Sequence, residues 1–199
     1  MKCILCSVAL LAACYTGWSQ SYADSVMKYR QQYKRDFLTD ANSPLKAKDT
    51  GYLRFYAPDR DYCVIATFTR TPASKPFMMP THSGKNKPYK EYGTLSFTIR
   101  DTALILHVYQ GVDLMNDASK NHLFIPFTDL TNYEETFGGG RYIDLSTNDI
   151  QDNTYLLDFN KCYNPYCAFA EGYSCPIPPQ ENSLRIEIRA GEKLFDKSN

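Results

Sequence analysis

The sequence has no excess of either charge: 22 Lys and Arg face 22 Asp and Glu. Setting Lys2 aside with the amino-terminal segment described below leaves 21 basic residues against 22 acidic ones, a net of −1. Nucleic-acid binders normally show a basic excess or patch, so that partner class is not expected. Beyond the first residues no apolar run approaches the roughly 20 residues a helix needs to cross a bilayer, so no transmembrane segment is expected. Histidine is scarce, with three copies. None of His82, His107 and His122 has a second His or a Cys at ligand spacing, and no metal is expected. The Gly-x-Ser-x-Gly elbow of one hydrolase class is missing. Gly138-Gly139-Gly140-Arg141 lacks the Lys-Ser/Thr and the following helix of a phosphate loop. No cofactor is expected. Nor does an internal repeat, a low-complexity tract or a linker divide the chain.

What the sequence does have begins with an export signal. Met1-Lys2 is followed by an apolar stretch from Cys3 to Cys14, and small residues stand at Gly17 and Ser19. A positive start, a short apolar run and small residues before the cut are the three parts of a secretory signal. Residues 1–19 are therefore read as a signal peptide cleaved near Ser19/Gln20, and residues 20–199 as a single β-rich domain. Leu11-Ala12-Ala13-Cys14 supports a competing reading, a lipobox with a lipid anchor on Cys14. Either way the expected location is the periplasm or the outside, with an outer-envelope lipoprotein as the alternative.

Residues 21–38 carry one apolar stripe: Tyr22, Val26, Tyr29, Tyr33 and Phe37 recur at helical spacing. This predicts an amphipathic helix whose stripe packs on the core, with Lys28, Arg30, Lys34 and Arg35 on its other faces. After Ser43-Pro44-Leu45 the period becomes two. Leu53/Phe55, Val64/Ala66/Phe68, Leu95/Phe97/Ile99, Leu104/Leu106/Val108, Leu123–Phe127, Tyr155–Phe159 and Leu184/Ile186/Ile188 read as short strands. Pro, Gly and Asp turns separate them. The expected fold is mainly β, an antiparallel β-sandwich or open β-barrel with one N-terminal amphipathic helix.

The C-terminal third departs from simple alternation. It holds Glu134 to Asp144 with its triple glycine, then Leu157-Asp158-Phe159-Asn160, then Asn164-Pro165-Tyr166-Cys167 through Cys175-Pro176 to Asn182. Together with Tyr29-Arg30, Ser43-Pro44-Leu45, Tyr92-Gly93-Thr94-Leu95, Leu123-Phe124-Ile125-Pro126-Phe127 and Ala190-Gly191-Glu192-Lys193, these segments form an ordered series over nearly the whole mature chain. In them the chain resembles the bacterial family known as domain of unknown function 1684. The resemblance implies no activity, because the family has none assigned.

Cys167 and Cys175 belong to that family pattern, whereas Cys63 and Cys162 are extra to it. Four cysteines outside an export signal suggest disulfides, with three possible pairings. Cys167–Cys175 would close a small loop, worth about 2.5 kcal/mol. Cys63–Cys162 is then the expected second bridge.

Where the triple-Gly turn meets the stapled loop, a site for a small ligand or envelope component is expected. Arg141 is its anion contact and Tyr142 and Tyr163 are flat surfaces, with Asn160, Asn164 and Asn182 as polar lining. The rival class is a hydrolase with an acid/base carboxylate pair, Glu135 or Glu181 with Asp144 or Asp158. A third reading makes these residues purely structural. At the triple glycine the bland alternative is a tight turn at positive φ.

Overall fold

The computed structural model describes residues 4–112 and 120–197, with side chains described from Gln20 onward. The side chains of the expected signal segment, Cys14 included, lie outside that range. The predicted stripe belongs to helix α1, Ile4–Thr39. Val26 and Phe37 are buried, and Phe37 packs with Leu45 and Leu53 in a small cluster at the helix end. The tyrosines of the stripe are half-buried and tie the helix to distant chain. Tyr22 donates to Asp158 (2.8 Å), Tyr29 to the Lys161 carbonyl (3.1 Å) and Tyr33 to Glu192 (2.9 Å). Arg30, expected on a solvent face, is 5% exposed instead. It donates to the Tyr56 carbonyl (2.8 Å) and lies over the Phe55 ring. Among the described residues no helix is long and apolar enough to cross a membrane.

Seven strands form one antiparallel sheet: β1 Cys63–Arg70, β2 Phe77–Pro80, β3 Asn86–Ile99, β4 Thr102–Gly111, β5 His122–Phe127, β6 Arg141–Ser146 and β7 Thr154–Asp158. The order is β6-β5-β4-β3-β1-β7, with β2 pairing on β3, and the sheet curls into a half-barrel. Alternation drives the curl: Ala66, Phe68, Leu95, Phe97, Leu106, Val108, Leu123, Ile125 and Leu157 all point into one core. Each fully buried large side chain of this kind contributes about 1.5–3 kcal/mol. The fold is thus the mainly antiparallel β structure with one N-terminal helix that the sequence predicts.

Strand β5 is covered on both faces. Leu123, Ile125 and Phe127 face the main core, while Phe124 joins Met79, Tyr89, Tyr109, Tyr142 and Cys175 in a second cluster. The C-terminal loop closes over this second face, and that creates the setting for a cavity.

Two predicted strands are not strands. Residues 50–52 form a short 3₁₀ turn, and Phe55 makes an isolated bridge to Glu192. The 184–189 segment keeps its alternation, with Leu184 and Ile188 buried and Arg185 and Glu187 exposed, yet no ladder forms. Leu184 donates its N–H to the Thr128 carbonyl (2.8 Å) and the Ile186 carbonyl accepts from Leu130 (3.0 Å), but from Ile188 onward alternate carbonyls are taken by the side chain of Arg141. Its guanidinium takes the carbonyls of Ile188 (2.8 Å), Ala190 (2.5 Å) and Glu192 (3.2 Å), one face of the extended chain.

The second expected disulfide is also absent: Cys63 and Cys162 are free. Cys63 opens β1 opposite Asp158. The turn at Phe159–Lys161 then carries Cys162 inward, where its thiol faces the Ala190 carbonyl. The Cys167–Cys175 bridge is present, with Cα atoms 6.2 Å apart.

Candidate functional site

The two-residue period of the strands and the helical spacing of α1 converge on one cavity. Helix α1 supplies Tyr29, Tyr33 and Asp36, which share a face at offsets of four and three. Alternate positions supply Lys87 and Tyr89 from β3, His122 and Phe124 from β5, and Tyr142 and Asp144 from β6. The loop after β7 adds Tyr163, Pro165 and Tyr166, and the disulfide-closed loop adds Tyr173, Ser174, Cys175 and Pro176. The volume is about 600 Å³, within the usual range for small-molecule sites. Seven of the chain's 16 tyrosines line it.

Hydrogen bonds fix the rings. A backbone bridge joins Tyr142 and Tyr163 (N–H to carbonyl 2.9 and 3.0 Å). Tyr142 donates its hydroxyl to the Pro176 carbonyl, Tyr166 to Asp40 (2.6 Å) and Tyr173 to the Asn42 carbonyl (2.8 Å). In the wall, Asp144 accepts from the Tyr163 hydroxyl and pairs with His122 Nε2 at 2.9 Å. That hydrogen bond raises the His122 pKa against the opposing effect of burial. Burial and then the Asp144 charge push Tyr89 up to about 12.

Behind the cavity lies a buried carboxyl. Glu192 is fully buried and accepts from Tyr33 (2.9 Å) and the Asn164 N–H (2.8 Å), while its Oε1 has no partner. Burial outweighs these bonds and pushes its pKa up to about 8.

The structure brings together Tyr142, Asp144 and Tyr163 from the predicted site and leaves the others elsewhere. Arg141 is 0% exposed, paired with Asp129 at 2.7 Å, so it meets no ligand. Asn182 bonds the His107 and Pro126 backbone, Asn160 the Asp59 backbone, and Asn164 the Lys193 carbonyl; all three are buried. The triple-Gly turn is packed rather than open. A Cβ on Gly140 (φ 87°) would meet the Phe127 carbonyl and Pro178 at 2.6 Å, so the turn needs glycine for conformation and for space.

The four candidate carboxylates are held by separate partners. Glu135 pairs with Arg189 and Tyr56, and Glu181 with Tyr109. Asp158 accepts from Tyr22 and lines a second cavity with Cys63, Arg60 and Lys161; of the four, only Asp144 lines the first. Among the described residues no group of three or more His, Cys, Asp or Glu is placed to hold a metal ion.

Sequence reasoning missed His122, Lys87, Tyr89 and Glu192. His122 and Asp144 each alternate with a wall aromatic, Phe124 and Tyr142, and that two-residue offset was the available signal.

The solution NMR structure of an uncharacterised protein from Haloarcula marismortui is similar at a TM-score of 0.68 and 29% identity, covering 91% of this chain and 98% of that one. No curated protein matches the chain. The family described as "Protein of unknown function (DUF1684)" matches residues 50–193, which take in the whole sheet, the disulfide loop and Glu192. The chain therefore belongs to the DUF1684 family.

Proposed function

We propose that the protein is an exported small-molecule-binding domain whose site is the tyrosine-walled cavity. The observation that carries the reading is the wall itself: seven tyrosines and Phe124 from six chain segments around about 600 Å³. Export is supported by the amino-terminal pattern and by the Cys167–Cys175 bridge, which suits an oxidising compartment. A cut after Ser19 also keeps Tyr22, Tyr29, Arg30 and Tyr33, the residues that anchor the helix.

The test is a thermal-shift screen of small molecules on the wild type and on Ser174→Trp, which places a bulky ring in the half-buried loop wall. Compounds that stabilise the wild type and lose that effect in the variant support the site. A screen in which every hit binds both proteins alike sinks it.

A hydrolase remains the second reading, favoured by one observation: Asp144 holds His122 at the wall, the arrangement that orients a general acid or base. Its test is His122→Gln, which should abolish turnover of a bound compound while leaving its affinity within about threefold.

A further inference from the structure

We infer that the cavity selects an organic cation of the quaternary or methylated ammonium class; this rests on the ligand-binding reading above. The first observation is the direction of the hydrogen bonds. Six cavity tyrosines give their hydroxyl proton to the protein: Tyr29, Tyr33, Tyr142, Tyr163, Tyr166 and Tyr173. Those protons are not available to an anionic guest, and a sugar would find few donors to match its own hydroxyls. What remains is ring surface, whose faces are negative. Tyr163 and Tyr166 donate to carboxylates, Asp144 and Asp40, and both stay neutral phenols because burial and the neighbouring negative charge disfavour phenolate.

The second observation is the angle between neighbouring rings. Phe124 and Tyr142 meet at 76° with centroids 4.7 Å apart. Tyr142 and Tyr163 meet at 87°, and Tyr166 and Tyr173 at 81°. Rings so steeply inclined to one another offer no parallel pair of faces to sandwich a flat aromatic guest, whereas a round trimethylammonium group needs none. Ammonium groups are held over single ring faces by the ring quadrupole.

Charge is the third observation. Asp144 stands in the wall and Asp36 at the exposed rim; Lys87, also exposed, and His122, which is already paired with Asp144, are the basic side chains of the lining. After burial, the Asp144 charge is what raises Tyr29 and Tyr89, so its negative charge is felt at both rings.

Calorimetric titration of the processed chain with choline, with its neutral isostere 3,3-dimethyl-1-butanol and with benzoate tests this. Choline should bind at least about tenfold tighter than the alcohol, the worth of a desolvated cation–ring contact. Asp36→Asn, an exposed change, should weaken choline about threefold, and Lys87→Gln should strengthen it by a similar factor, with Tm unchanged in both. If the alcohol or benzoate binds as tightly as choline, the cation class is overturned while the ligand-binding reading stands. If none of the three binds, the cation class is overturned too. The reading itself then falls only when the thermal-shift screen also finds no cavity ligand.

Discussion

Arg141 does alone what a neighbouring strand would otherwise do. Its two terminal nitrogens serve three carbonyls of the C-terminal segment and Asp129, and Asp129 in turn accepts from the Ile188 and Thr131 N–H groups. Arg141→Ala leaves the buried Asp129 carboxylate without its counter-charge and takes the guanidinium from three carbonyls. We expect a loss of about 3–5 kcal/mol in urea unfolding, with Arg141→Lys nearly as poor because one ammonium cannot reproduce the fork. A loss below about 1 kcal/mol would show that the network is dispensable. The sequence marked Arg141 as special but not as buried. An arginine after glycines looks the same whether its guanidinium meets a ligand or its own chain's carbonyls. Glu192 was equally silent, since nothing in Gly191-Glu192-Lys193 announces a carboxyl without water. Its consequence is a pH dependence. An unfolded glutamate titrates near 4.3, whereas Glu192 holds its proton up to about 8. Between those values the unfolded chain releases a proton that the folded chain keeps, so stability falls as pH rises and levels off above the folded value. His122, whose folded pKa is raised by Asp144, adds a loss in the same direction. The difference between wild type and Glu192→Gln isolates the carboxyl. Denaturation midpoints at pH 5, 6.5 and 8 should decline less in the variant, by up to about 1 kcal/mol per pH unit. Parallel slopes would rule out the buried acid as a source.

At the scale of elements, alternation proved to be a reading of burial rather than of pairing. It located β1, β3, β4, β5 and β7 because each buries one face in a core, β7 doing so as an edge strand paired with β1 alone. It misread 184–189 because that segment is buried on one face like a strand while its backbone partners are scattered: Thr128 and Leu130 for Leu184 and Ile186, and the Arg141 side chain for the Ile188 carbonyl. The disulfide loop was legible from cysteine spacing and family pattern, but the pairing of Cys63 with Cys162 was not, since separation in sequence says nothing about direction. Thiol counting checks this. In the chain processed after Ser19, native protein should alkylate slowly at half-exposed Cys63 only, and denatured, unreduced protein at both Cys63 and buried Cys162. A blocked Cys63 in the denatured sample would restore the second bridge. Replacing Cys167 and Cys175 by serine should cost about 2 kcal/mol by loop entropy. It should also weaken any cavity ligand, because Tyr173, Ser174 and Pro176 form that wall. Unchanged affinity in the double variant would mean the loop holds its shape without the bridge.

Across the whole molecule, the helix is attached by contacts that span most of the chain. Tyr22 reaches Asp158 across 136 positions, Tyr29 reaches Lys161 across 132, and Tyr33 reaches Glu192 across 159. If the chain is exported as proposed, the mass of its amino terminus separates two routes: a start at Gln20 fits release, whereas a lipid on Cys14 leaves a short tether before Tyr22. Either route threads the first residues out ahead of the rest. Phe37 can pack on Leu45 and Leu53, and Arg30 can reach the Tyr56 carbonyl, as soon as those residues follow, but Tyr22 must wait for Asp158 and Tyr33 for Glu192, seven positions from the end of the chain. On the proposed reading the wall is completed last, by the residues that crossed the membrane first, and a chain cut short by a dozen residues would lack the Glu192 that holds Tyr33 in it.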